Sequence, residues 1–132
     1  MKSSVYTTAM AKFITANSFA EYMKAAESSK STCSQNFALF TGSLTASGKS
    51  WCPDCVRADP VIEEAAKSLP SGTCLITTYI DRPTWKNQNN EFRKGDLKLK
   101  SVPTLIKLGS EQRLVESECA KKSLVEMLFE ED

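Results

Sequence analysis

The stretch Lys49-Ser50-Trp51-Cys52-Pro53-Asp54-Cys55 separates two thiols by only two residues and places a proline directly after the first. Three chemistries suit such a pair: a metal clamp, a structural bridge, or a dithiol that makes and breaks a disulfide as its task. The chain contains no histidine, and Cys33, Cys74 and Cys119 stand singly and far apart. A structural zinc site takes four Cys or His ligands, usually as two close pairs, so no metal site is expected. Five cysteines are an odd count and do not read as a disulfide-stapled scaffold. Each of the three single cysteines is expected to be a small buried hydrophobe, with Cys33, in polar surroundings, the best exception as a regulatory thiol.

Cys52 and Cys55 therefore read as a reactive pair. A free thiol has a pKa near about 8.5, and a helix N-terminus or a Cys-x-x-Cys arrangement lowers it. Pro53 sits where a first helical residue is favoured, so Cys52 falls at a helix mouth, where unpaired N–H groups and the positive end of the dipole favour an anion. Cys52 is the candidate nucleophile. Cys55, one turn inside, is the candidate resolving thiol, placed to attack a mixed disulfide on Cys52. Asp54 suits a first helical turn but repels a nearby thiolate, which makes it a candidate for pKa tuning or proton transfer, with Lys49 as an offsetting charge. Trp51 borders the nucleophile and either stacks on substrate or supports the loop, whereas Trp85 reads as packing for its own helix.

These residues need elements to hold them. Lys12–Thr15 is a possible first strand, and Ser18 with Glu21 has capping-box spacing for a helix running to about Ser28. The polar stretch from Glu27 to Asn36 reads as a loop leading to Phe37–Phe40, an apolar run typical of a strand covered on both faces. Thr41–Ser50 reads as a loop before the cysteines. A helix then begins at the pair, with an apolar stripe of Val61, Ile62, Ala65, Ala66 and Leu69, a kink at Pro60 and a stop at Pro70-Ser71-Gly72. Cys74–Ile80 is expected as a second buried strand in parallel pairing, followed by a short helix over Thr84–Arg93. The stretch from Lys94 to Lys100 reads as half-exposed and extended. Val102–Leu108 and Arg113–Glu116 are expected as an antiparallel hairpin, and Lys121–Phe129 as a final helix, with Glu130, Glu131 and Asp132 fraying.

The whole chain narrows the function classes. At 132 residues it suits one domain, and 17 basic against 16 acidic residues advertise neither a nucleic-acid nor a membrane partner. The first residues lack a signal-peptide apolar run, and no Asn-x-Ser/Thr acceptor occurs, so a cytoplasmic address is expected.

The Trp-Cys-x-x-Cys at a helix start, the proline-bearing helix after it and Val102-Pro103-Thr104 entering a later strand together resemble the thioredoxin superfamily. Four blocks, FTGSLTASGKSWCPDC, WKNQNNEFRK, VPTLIKLG and LVESECAKKSLVEMLF, resemble more narrowly the thioredoxin domain-containing protein 17 family, from about Asn17 onward. The resemblance implies an α/β thioredoxin-like fold, a central mixed β-sheet flanked by helices on both faces. It divides the chain into an N-terminal extension over 1–16, read as a flexible tail, and a thioredoxin-like domain over 17–132. It also implies a cytosolic disulfide reductase that binds no cofactor and is recharged by NADPH through thioredoxin reductase. Its substrates would be cystine, other small disulfides and selected protein disulfides. Pro103 would be cis beside the dithiol, leaving the Val102 backbone free to pair with substrate, and Lys49, Trp51, Pro53, Val102 and Pro103 would form the substrate-binding set.

This chain departs from ordinary thioredoxin in carrying Pro-Asp between the cysteines and in the longer loop before them, which favours small substrates. The buried Asp that assists the resolving thiol in thioredoxin falls at about Leu39, and its Lys partner near Thr77, so deprotonation of Cys55 needs another route, Asp54 or water. Two other readings stand beside the reductase: a glutathione-linked oxidoreductase, and a redox-sensing adaptor, for which the family's link to dynein light chain is the reason.

Overall fold

The apolar run at Phe37–Phe40 lies inside a longer central strand, β2 (Gln35–Gly42), buried from Phe37 to its end. In the computed structural model, which describes residues 11–130, β2 is flanked by β3 (Thr73–Ile80) in parallel and by β4 (Thr104–Lys107) antiparallel. β1 (Lys12–Ala16) joins parallel to β3, and β5 (Arg113–Val115) antiparallel to β4, giving the order β1-β3-β2-β4-β5. The sheet is mixed, as expected. Parallel neighbours require crossovers, which is why a helix follows both β1 and β2.

Side chains on β2 alternate between the two faces. Phe37 and Leu39 pack with Ile62 of α2 (Pro53–Ala66) and with Val125, Leu128 and Phe129 of α4 (Lys122–Phe129). Ala38 and Phe40 pack on the other face with Tyr22 of α1 (Phe19–Thr32) and with Phe92. Both faces are covered. This is the thioredoxin-like α/β arrangement that the sequence blocks implied.

Several elements differ from their expected extents. α1 runs one turn further than the expected stop near Ser28, because the hydroxyls of Ser29, Ser31 and Thr32 donate back to carbonyls three or four residues earlier instead of breaking the helix. Thr41 and Gly42, expected in the loop, complete β2. The helix expected over Thr84–Arg93 is split into α3 (Arg82–Lys86) and a short 3-10 turn at Glu91–Arg93. Between them the buried Asn90 donates its side-chain amide to the carbonyls of Thr84, Trp85 and Asn87, supplying for the turn what helical N–H groups would otherwise do. β4 starts at Thr104 because Pro103 has no N–H for the ladder. Glu116, with φ 52°, leaves β5 early and opens a 3-10 turn over Glu116–Ala120. The segment from Lys94 to Lys100 is turns and bends, with Leu99 buried. Most of the extension over 1–16, its expected flexible tail included, lies outside the described residues, as do Glu131 and Asp132; its last residues form β1.

The single-cysteine expectation is corrected at two positions. Cys33, the C-cap of α1, and Cys74, near the start of β3, form a disulfide with Cα atoms 5.8 Å apart, and both are buried. Residues 41 apart in sequence meet because Ser34 and Gln35 donate their N–H groups to Gly72 and β2 then pairs with β3, Asn36 opposite Cys74. The enclosed loop contains all of β2 and α2. Closing a loop of 41 residues removes enough unfolded-chain entropy to stabilise the fold by about 4 kcal/mol. The double substitution Cys33→Ala/Cys74→Ala should therefore lower unfolding free energy in urea by about that amount. Equal midpoints for the native and double-substituted proteins without reductant would show that the bridge contributes nothing.

Candidate active site

Pro53 opens α2 and Cys52 is its N-cap, in extended backbone. The Cys52 Sγ accepts the backbone N–H of Cys55 at 3.3 Å, which satisfies one of the donors left over at a helix start. The two Sγ atoms lie 2.6 Å apart, with the Cys55 thiol donating to Cys52. Both residues are buried, Cys55 completely. The hydrogen bond from Cys55 lowers the Cys52 pKa to about 7, reinforced by backbone N–H groups and opposed by burial and by the charge of Asp54. The same bond favours the protonated form of Cys55, and burial pushes its thiol up further. The pair is thus unequal: one sulfur ready to ionise, one holding its proton.

The end of β2 and the following loop fix this geometry. Gly42 donates its N–H to the Cys55 Sγ at 3.3 Å. The Ser50 hydroxyl donates to the Gly42 carbonyl at 2.9 Å and accepts the Cys52 N–H at 3.2 Å. The loop returns on itself through a bridge between Leu44 and Ser50, and Trp51 donates its indole N–H to the Ile80 carbonyl at 2.8 Å. Trp51 therefore ties the loop to β3 as well as bordering the nucleophile. A side chain at Gly42 has no room: a Cβ there would lie 2.9 Å from the Trp51 ring and 3.0 Å from the Cys52 Cβ. Sequence reading missed Gly42 and Ser50, whose only signal was their membership of a Gly/Ser-rich stretch.

The Val102–Pro103 peptide bond is cis, and the Val102 carbonyl accepts from the Cys52 thiol at 3.5 Å. These two residues are brought to the dithiol. Lys49 is exposed on the loop with its carbonyl accepting from Thr45, while Asp54, paired with Arg57, is the charged side chain that acts on Cys52. Cys119 is buried and donates to the Leu114 carbonyl at 3.4 Å; burial pushes its thiol up to about 12, so it stays protonated at neutral pH. Trp85 carries the Arg93 guanidinium 3.8 Å over its ring.

A second carboxylate stands behind the pair. Leu39 and Thr77 line a cavity of about 410 Å³ together with Thr41 and Asp59, and the Thr41 hydroxyl donates to Asp59 at 2.9 Å. The Thr41 hydroxyl also pulls the Cys55 pKa down, against the larger upward push of Cys52 and burial. Burial pushes the Asp59 pKa up to about 6. Sequence reading passed over Asp59 as one more helix residue, although its spacing of four from Cys55 puts the two on one helical face.

Residues 15–131 match the family model of the thioredoxin domain-containing protein 17-like thioredoxin domain. Thioredoxin domain-containing protein 17 of Homo sapiens is 56% identical over 97 residues, covering 73% of this chain and 78% of its own. The protein of the same name from Danio rerio is 46% identical over 120 residues, 90% of this chain and 95% of its own. Thioredoxin-like protein Clot of Arabidopsis thaliana is 41% identical over 96 residues, 70% of each chain.

Two outcomes follow from the packing and charges of the motif. Gly42→Ala should cost about 1–3 kcal/mol in chemical denaturation and slow alkylation of Cys52, because the motif must shift to admit the methyl group. Unchanged stability and alkylation would show that the loop yields freely. Asp54→Asn removes an opposing charge while keeping the backbone donor, so thiolate absorbance should titrate below the native value of about 7. An identical titration would remove Asp54 from the tuning of Cys52.

Proposed function

The chain belongs to the thioredoxin domain-containing protein 17-like family, whose role is thioredoxin-type redox chemistry, and on that premise we propose that it is a dithiol–disulfide reductase acting on cystine and other small or selected protein disulfides. The observation that carries this reading is the unequal pair, Cys52 lowered to about 7 and Cys55 raised, with sulfurs 2.6 Å apart. The Cys52 thiolate attacks one sulfur of a substrate disulfide, forming a mixed disulfide and expelling the first product thiolate. Cys55 then attacks the Cys52 sulfur, forming the Cys52–Cys55 disulfide and releasing the second product. Two electrons pass from the dithiol to the substrate, and each leaving thiolate takes up a proton. In this scheme Val102 and Pro103 flank the substrate's approach to Cys52, with Trp51 and Pro53 beside it.

The hairpin loop closed by Leu44 and Ser50 stands against the motif and supports a preference for compact substrates over broad protein surfaces. Recharging is assigned to thioredoxin reductase with NADPH, and the working compartment to the cytosol, where a dithiol finds a continuous supply of reductant. The buried disulfide between Cys33 and Cys74 is compatible with that setting, because exchange needs a thiolate to reach a sulfur.

NADPH consumption with thioredoxin reductase and cystine tests the assignment. The native protein should turn over many equivalents, Cys52→Ser none, and Cys55→Ser should be at least about a hundredfold slower. Absent consumption with an intact dithiol would overturn the reductase; recovery of turnover by glutathione with glutathione reductase would then select the glutathione-linked reading, and its continued absence an adaptor such as one binding dynein light chain.

A further inference from the structure

Between α2 and the face of β1 and β3 runs the cavity of about 410 Å³, at the small end of the range of about 300–1,000 Å³ in which ligand pockets fall. Neither cysteine of the dithiol lines it. Its two ends differ in chemistry. Phe13 stands opposite Leu75 in the parallel ladder, and with Leu39 and Ile62 they make that stretch of wall apolar, Phe13 remaining 56% exposed. Four residues further along β3, about 13 Å away, Tyr79 stands opposite Thr41, whose hydroxyl donates to Asp59 at 2.9 Å. Glu63 follows Asp59 by one helical turn. Both carboxylates push the Tyr79 phenol up, so the three groups lie within electrostatic reach of one another. Among the described residues neither carboxylate has a cationic partner. Lys67, on the lining as well, pairs with Glu64 at 3.1 Å and keeps its side chain 73% exposed.

An apolar slot that ends at two carboxylates without a counter-charge selects its occupant. A hydrated inorganic cation would leave Phe13 and Leu75 uncovered, a neutral apolar molecule would strip water from the carboxylates without return, and an anion would meet like charge. We propose that this cavity binds a small organic ammonium ion, its apolar body lying along Phe13, Leu39, Ile62 and Leu75 and its ammonium group between Asp59 and Glu63. The body is one ring or an alkyl chain of similar length, set by the distance from Leu75 to Tyr79. The ammonium N–H groups donate to the two carboxylates in charge-assisted bonds. Thr41, itself buried at the end of β2, holds Asp59 in place for them. Burial pushes the Asp59 pKa up to about 6, with Thr41 pulling it down and Glu63 adding to the rise. A bound ammonium opposes that rise, so binding near pH 6 releases a proton. The groups that face Asp59 are Glu63 and Lys67 on α2, Tyr79 on β3 and Cys119 in the Glu116–Ala120 turn. Tyr79 and Cys119 keep their protons throughout this range. Because the dithiol is no part of the lining, the site stands independently of the reductase reading.

Nuclear magnetic resonance on the full chain tests this with three probes of one shape: phenethylamine, the neutral 2-phenylethanol and the anion 3-phenylpropionate. Above neutral pH, phenethylamine should shift the methyl signals of Ile62 and Leu75 saturably. The alcohol should bind at least about tenfold more weakly, and the carboxylate should leave those signals unmoved. Affinity for phenethylamine should fall as pH falls through about 6, where Asp59 takes up a proton, and affinity for the alcohol should not. Glu63→Gln, at an exposed position, and Asp59→Asn, which keeps an acceptor for Thr41, should each weaken phenethylamine by at least about fivefold and leave the alcohol as it was. Thr77→Phe, which brings a strand-favouring ring into the cavity from β3, should remove binding of both. Equal affinity for the amine and the alcohol, or shifts confined to residues outside the cavity, would overturn the proposal. Movement of the Ile62 and Leu75 signals on dilution of the protein alone would assign the cavity to a second copy of the chain. Overhauser contacts from residues 1–10 to Leu75 would assign it to the chain's own leading segment, and either result overturns the ammonium site.

Discussion

One shared proton organises this site. Two sulfurs 2.6 Å apart cannot both be thiolates, and a hydrogen bond from Cys55 to Cys52 settles which of them ionises. That bond is the largest influence lowering one thiol and the largest raising the other. The helix mouth adds to the same asymmetry by directing the Cys55 N–H at the Cys52 sulfur. Burial alone would have raised both thiols and left the pair inert near neutrality.

The asymmetry survives only while the two sulfurs keep their relative positions, and the end of β2 holds them there. Gly42 contacts Cys55 through its N–H and Cys52 through Ser50, so one backbone unit is bonded toward both halves of the motif. Gly42 in turn is fixed by pairing with Ile80 on β3, whose carbonyl also accepts the Trp51 indole. A strand buried on both faces is a rigid support, because any shift would break ladder bonds and core packing together. From the opposite side the Val102 carbonyl meets the Cys52 thiol. The reactive sulfur is thereby held between the end of β2 and a residue 50 positions further along the chain than itself.

A second carboxylate lies one helical turn beyond the resolving thiol. Where thioredoxin resemblance placed a carboxylate, the chain has Leu39, packed into the core against α2 and α4. A carboxylate is carried by α2 instead, at Asp59, where it accepts the hydroxyl of Thr41. At a cavity wall Asp59 ionises at less cost than a carboxylate within packed side chains would. The disulfide between Cys33 and Cys74 lies at the other end of β2 and β3, so the fold keeps a buried bridge at one end of these strands and a dithiol at the other.

The sequence by itself determined the reactive pair, its helix-mouth setting and the α/β class, because each depends on local spacing: two cysteines one turn apart, a proline at a first helical position, an apolar run of strand length. The extents of α1 and β2, the bridge between Cys33 and Cys74, the roles of Gly42 and Ser50, and the bond between Thr41 and Asp59 were decided by tertiary structure. Each of these depends on which residues the parallel pairing of β2 with β3 and the return of α2 over the sheet bring together. Proximity between segments far apart along the chain leaves little trace in spacing, so a lone cysteine, a loop glycine and a helical aspartate looked ordinary until the sheet set them against one another.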